Sequence, residues 1–265
     1  MDKILWALAG SSMGAIGMVC QKKGIRWMDM RKSKQAGLSK YFFIWLAGIL
    51  TSYVLSAYPN SIASNALPPH IITAMAGWEI VVIVFLSWVF LKERMYKTDG
   101  LYALLIVGCT AVLGVRTRPA EYMQEQKLWR ILVFLIPVVF LFPLLNKRLT
   151  AKTKAAFFAI YSGCMGGLAL VYFNILVRAI FAHGLKGLPI GILALYLLSA
   201  VLGLLGEQTS YRIGEMTVVA SIRLSLYIVY PIFCSMLLYK SSIDVIQLMA
   251  IAVIIFACYG IYRKR

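Results

Sequence analysis

Glu79 and Arg223 are the residues most at odds with their surroundings. Each stands inside a long apolar run, Glu79 in 70–91 and Arg223 in 216–239. At 1.5 Å per residue, Glu79 would lie roughly 13 Å along a helix, near the middle of a bilayer, and Arg223 nearer one end. An ionisable group at such depth costs several kcal/mol unless it is paired or hydrated, which makes both candidates for function. A carboxylate there can hold an ammonium group or exchange a proton, and a guanidinium can hold a carboxylate or phosphate. Two readings stand side by side. In one, Glu79 and Arg223 line a common cavity and bind opposite ends of a zwitterionic or anionic solute, or gate its passage. In the other they form a structural ion pair, with the Arg223 stem reaching toward water. Both turn the two side chains toward protein rather than lipid.

Weaker candidates surround them. Asn174 and Arg178 share a helix face in the run 155–181, and Asn174 can donate to a solute or bond across helices. Ser12 belongs to a small-residue face with Gly10, Ser11, Gly14 and Gly17, suited to close helix packing and, second, to lining a cavity. Trp6, Trp45, Trp78, Tyr227 and Tyr230 could stack on a ligand cation, although most Trp and Tyr read more simply as interfacial anchors, Trp78 and Tyr227 excepted because they fall deep in their runs. Glu207, Arg212 and Glu215 read as solvated loop charges past the run 190–206, with a gate as the alternative. The five cysteines make no C-x-x-C spacing, and His70 and His183 have no nearby Cys or carboxylate, so no metal or cofactor site is expected. Nor does any His and acid cluster suggest an enzyme.

The elements that must carry these residues follow from composition. Of 265 residues, 61% are hydrophobic, and the mean hydropathy is +0.81. Soluble domains hold about 45–50% apolar residues, so the solvent for most of this chain is lipid. A net charge of +17 would suggest nucleic acid in a soluble protein. Here the Lys and Arg lie almost wholly between apolar runs, where they orient a membrane protein and attract anionic headgroups, and no nucleic-acid partner is expected. Crossing a core of roughly 30 Å takes about 20 apolar residues. Nine runs qualify: 4–20, 41–58, 70–91, 100–115, 128–145, 155–181, 190–206, 216–239 and 243–262. Lys3 is too close to Ala7-Leu8-Ala9 for a signal-peptide core, so the first run reads as a retained helix. Pro68 and Pro69 precede the third run; Pro137, Pro143 and Pro231 fall inside others.

The runs suggest a repeat. A shift of 148 lays 216–239 over 68–91, matching Ser87 with Ser235, Phe90 with Leu238 and Lys92 with Lys240. A shift of 152 lays Cys164-Met165-Gly166-Gly167 over Ser12-Met13-Gly14-Ala15. Two four-helix units joined by one linking helix must run through the membrane in opposite senses, the inverted plan of many secondary transporters. The expected division is 1–118 for the first repeat, 119–150 for the linking helix and 151–265 for the second repeat, an all-α polytopic fold.

The stretch Ala74-Met75-Ala76-Gly77-Trp78-Glu79, continuing to Leu91-Lys92-Glu93-Arg94, resembles the signature region of the drug/metabolite transporter superfamily, of EamA-like type. There a helix of small and apolar residues ends in Leu or Phe, Gly or Lys, then Glu and Arg, before a short Gly-bearing helix such as 100–114. The four-helix unit is similar to a small multidrug resistance protomer. The whole plan resembles the NIPA-type magnesium transporters, whose first helix also ends like Lys22-Lys23-Gly24. The chain departs in one respect: 4–20 lacks the membrane-embedded Glu of the small multidrug resistance proteins. The resemblance implies a secondary transporter of a small polar or zwitterionic metabolite, working by alternating access from a cell membrane and coupled to a proton or sodium ion. A magnesium carrier is the rival within transport, although a hard divalent ion wants several oxygen ligands. A non-catalytic lipid-binding or accessory membrane subunit is the rival from another class.

Orientation gives the first test. Eighteen Lys and Arg fall on the side of the first inter-run loop and the C-terminus, against eight on the other, with Arg223 inside a run. The positive-inside rule then places the N-terminus outside and the C-terminus in the cytoplasm. Labelling of single cysteines at the two ends with a membrane-impermeant maleimide should mark the N-terminal site alone in intact cells; two termini on one side would remove the nine-run plan.

Overall fold

A computed structural model describes residues 2–31, 38–64, 69–116, 127–140, 148–183, 189–239 and 243–264. Every regular element among them is helical: α1 (Asp2–Arg31), α2 (Leu38–Leu50), a π-helical turn (Thr51–Leu55), α3 (Ala57–Ser64), α4 (Pro69–Leu91), α5 (Lys97–Arg116), α6 (Lys127–Val139), α7 (Ala151–His183), α8 (Ile190–Ile213), α9 (Met216–Tyr239) and α10 (Val245–Lys264). Among the described residues, five segments are long and apolar enough to cross a membrane: Lys40–Asn60, Ala151–Phe173, Ile190–Ile213, Met216–Cys234 and Val245–Lys264. This is the architecture of a polytopic α-helical membrane protein. Pro68, Pro143 and several loop cations, among them Lys34, Lys147 and Lys240, lie outside the described residues.

Local chemistry sets the helix ends. Asp99 starts α5 by accepting the Tyr96 N–H at 3.1 Å while the Asp99 N–H returns to the Tyr96 carbonyl at 2.9 Å, a reciprocal cap. Thr150 starts α7, its hydroxyl accepting the Thr153 N–H at 3.2 Å. Two helices run further than their apolar cores. α1 continues to Arg31, so Lys22, Lys23 and Arg26 ride on a helix rather than in a loop. Lys, Arg and Gln are good helix formers, and nothing in Gln21-Lys22-Lys23 interrupts the backbone. α8 likewise continues past Gly206 to Ile213, taking Glu207 into the helix.

The described contacts divide the chain into two compact units: Met1–Pro119 with Tyr211–Ser221 and Val245–Arg265, and Ala120–Ser210 with Ile222–Asp244. In the first unit, helices meet at glycine. A Cβ on Gly17 would lie 2.6 Å from the Gly48 carbonyl oxygen, and one on Gly24 would lie 2.8 Å from Trp45 Cβ, so α1 and α2 touch backbone to backbone. α5 packs on α10: Tyr102 covers Gly260 and meets the Phe256 ring at 6.3 Å, and Lys264 donates to the Thr98 hydroxyl at 2.9 Å. The start of α5 therefore meets the end of α10, and the two run antiparallel.

The second unit is built on α7. A Cβ on Gly203 of α8 would stand 3.3 Å from the Gly166 backbone nitrogen, and the Ser162 hydroxyl donates to the Gly203 carbonyl at 2.8 Å. On its other side α7 receives α9, where a Cβ on Gly167 would lie 2.8 Å from Pro231 Cδ. Cys164, Leu168, Tyr172, Tyr230 and Cys234 fill the core with Val133 of α6.

These contacts separate two kinds of glycine. Gly167→Leu forces atoms into backbone and ring and should cost about 1–3 kcal/mol by overpacking. Gly108, mid-helix in α5, has open space beside it. Gly108→Ala should hold or raise stability, by up to about 1 kcal/mol, because Ala loses less backbone entropy in a helix. Thermal unfolding in detergent distinguishes the two; equal effects would show that the close approach at Gly167 is not a tight one.

Candidate functional site

In the first unit the glycine face of α1 carries polar side chains from its neighbours. A Cβ on Gly14 would fall on Glu79 Oε1 of α4, and one on Gly10 would fall on Asn60 Oδ1 of α3. Gly10 and Gly14 are one turn apart, so the amide of Asn60 and the carboxylate of Glu79 lie on the same stripe, about 6 Å apart along the axis. The Trp78 indole donates to the Ser12 hydroxyl at 3.2 Å, two residues from Gly10 and Gly14 and so on another face of α1. Trp78 and Ser12 thus meet each other, while Glu79 and Asn60 meet the glycine stripe. The absence of any Cβ at Gly10 and Gly14 is what lets these polar atoms approach the α1 backbone. A carboxylate oxygen and an amide oxygen one turn apart on that stripe are acceptors that suit an ammonium group or a small cation.

The second unit holds Arg223. Its guanidinium meets Glu207 of α8 at 2.9 Å, with the two side chains 8% and 1% exposed. Arg223 therefore has a carboxylate from its own unit. This corrects the reading of Glu207 as a solvated charge: Arg212 and Glu215 are exposed, but Glu207 is fully buried because α8 continues as a helix through it. The signal was present in the sequence, since a deep arginine needs a counter-charge and Glu207 closes an apolar run. The Arg223 backbone carbonyl packs on Gly163, with Leu226 Cβ 2.9 Å from a Cβ placed there.

Tyr227 lies one turn further along α9, its ring 3.1 Å from a Cβ on Gly166. Tyr230 is buried and donates its hydroxyl to the Val133 carbonyl at 2.5 Å, tying α9 to α6. Asn174 is carried by α7, and its side chain lies outside the described ones. Trp6 meets Tyr58 edge-on at 6.3 Å, with both rings exposed, as interfacial anchors would be.

The chain was compared with protein-family models, with curated proteins and with solved structures. It matches none of them.

The buried pair makes a direct prediction. Glu207→Gln or Arg223→Gln alone leaves one charge uncompensated in a dry site, at a cost of about 3–5 kcal/mol. Each single variant should therefore melt well below the parent, and the double variant should recover most of the loss. If the double variant is as unstable as the sum of the singles, the two side chains contribute independently and the pair is not what stabilises α8 against α9.

Proposed function

We propose that this chain is a secondary membrane transporter of a small polar or zwitterionic metabolite, built from two inverted four-helix repeats and working by alternating access. The observation that carries this reading is a correspondence of contacts. The shift of 152 takes Gly14 to Gly166, and the shift of 148 takes Glu79 to Tyr227. The first shift was drawn from the opening helix of each repeat and the second from the third. Gly14 packs on Glu79 in one unit, and Gly166 packs on Tyr227 in the other. Two separate alignments thus carry one helix contact onto another, which shared composition alone would not produce.

The α5 and α10 contact supports the inversion. In the repeat scheme these are the equivalent fourth helices, and they meet antiparallel, the start of α5 on the end of α10. Equivalent elements that touch in opposite senses are what a pseudo-two-fold axis in the membrane plane produces.

Within this reading Glu79 is the solute-binding or ion-coupling group. It takes the ammonium end of a zwitterion, or a proton or sodium ion, with Asn60 one turn along the same stripe. Arg223, engaged by Glu207, serves as a gate or a structural tie. Membership of the drug/metabolite superfamily is part of the proposal, resting on 74–94 and on the repeat.

The decisive experiment pairs a screen with a variant. Purified protein is scanned for metabolites and cations that raise its melting temperature, since a ligand that binds the folded state stabilises it by mass action. Glu79→Gln should keep the parent's fold and lose both the shift and uptake into proteoliposomes. A Glu79→Gln protein that transports normally would sink the assignment.

A further inference from the structure

Three charged side chains of the first unit cap helices other than their own. Lys22 of α1 donates to the Tyr211 and Gly214 carbonyls at the end of α8. Arg26 donates to the Leu91 carbonyl at the end of α4, at 3.2 Å. Glu93, just past α4, accepts the Met216 N–H at 2.6 Å, the Thr217 N–H at 3.1 Å and the Thr217 hydroxyl at 3.0 Å, at the start of α9. First-turn amides have no partner within their own helix, so Glu93 supplies what α9 lacks, and a carboxylate suits the positive end of a helix dipole.

Glu93 is aimed by an uncommon backbone. Lys92 has φ of +55°, the left-handed region that favours glycine, and the Glu93 N–H returns to the Ser87 carbonyl at 3.2 Å. Lysine thus takes the left-handed position after α4 that glycine most often fills. The strain is held only while the surrounding contacts hold it.

What these side chains grip is a turn that belongs, by its packing, to neither neighbour in sequence. Tyr211–Ser221 groups with the first unit, while Ala120–Ser210 before it and Ile222–Asp244 after it form the second. α8 and α9 each change unit partway along their length. Arg212 and Glu215 on the turn are exposed, so water reaches its edge, whereas Met216, Val218 and Val219 are buried.

We infer that Lys22 and Glu93 form one detachable clamp that fixes the α8–α9 turn to the first unit, and that it opens locally without either unit unfolding. Its grips are polar contacts to backbone groups and to the Thr217 hydroxyl, which water can replace, and release lets Lys92 leave its strained conformation. The clamp holds the turn against α1 and the end of α4. This stands apart from the transport reading, since it needs only the first unit and the turn.

Hydrogen exchange on the full chain in detergent tests it, because the Met216 and Thr217 amides owe their protection to Glu93. In the parent they should exchange at least about tenfold faster than the Leu168 and Tyr172 amides of the α7 core, which open only with the unit. Glu93→Gln should speed 216–217 further and leave α7 unchanged. Lys22→Met should do the same although Lys22 does not touch those amides, a coupling that two independent caps would not show. Lys92→Gly should slow exchange at 216–217. Exchange of 216–217 at the α7 rate in the parent protein would overturn the inference, as would a Lys22→Met effect confined to 211–214. If Glu93→Gln fails to fold, the parent, Lys22→Met and Lys92→Gly measurements still decide.

Discussion

Helices in lipid gain little from hiding apolar surface from one another, because the surrounding tails are equally apolar. What holds them is close contact between backbones, which small residues allow. In this chain the approach of α1 to α2 and α4, and of α7 to α8 and α9, is set at Gly14, Gly17, Gly24, Gly163, Gly166 and Gly167. Much else depends on that closeness. A polar atom drawn against a glycine backbone is shielded from lipid, so the same stripe that packs the helices also shelters Glu79 and Asn60. Packing and site are one feature.

Charge is distributed to fit. Arg223 is met by Glu207 within the second unit, where neither is accessible to bulk water. A pair of this kind adds little net stability over apolar packing, but it penalises any arrangement that parts the two groups. It therefore fixes α8 against α9 in register more than it strengthens them. Glu79, in the first unit, lies against the glycine face of α1 at Gly14.

How much of this was legible follows from what sequence patterns measure. Apolar runs mark where a helix is buried in lipid, so 70–91 and 216–239 fall on α4 and α9. They do not mark where a helix stops, because Lys, Arg and Glu continue a helix as readily as Leu does. Hence α1 and α8 extend beyond their apolar runs, and Glu207, past the end of 190–206, is a buried charge rather than a solvated one. Ser12, Trp78 and Glu79 could be named singly, but no spacing rule joins Trp78 to Ser12 across 66 residues. Asn60 escaped notice because its place depends on a change of helical phase. The Leu91-Lys92-Glu93-Arg94 ending was visible as a motif, yet that Glu93 caps α9 is a tertiary fact.

That change of phase is the π-helical turn Thr51–Leu55, where the Ser56 N–H reaches back to the Thr51 carbonyl at 3.0 Å. The Ser52 hydroxyl bonds the Gly48 carbonyl at 2.6 Å and accepts from the Gln21 amide at 2.5 Å, so the widened turn is stitched to α1. A π turn holds one residue more than the α-helix it interrupts, and each residue advances an α-helix by about 100°. The widened turn absorbs that residue, so the residues after 55 stand about 100° from where one unbroken α-helix of the same sequence would put them, and this offset sets Asn60 against Gly10. Reading frame and geometry are linked here: losing a single codon within 51–55 would let α2 and α3 fuse into one regular helix with Asn60 still on the α1 stripe, whereas losing one between 56 and 59 would leave the π turn and carry Asn60 off it.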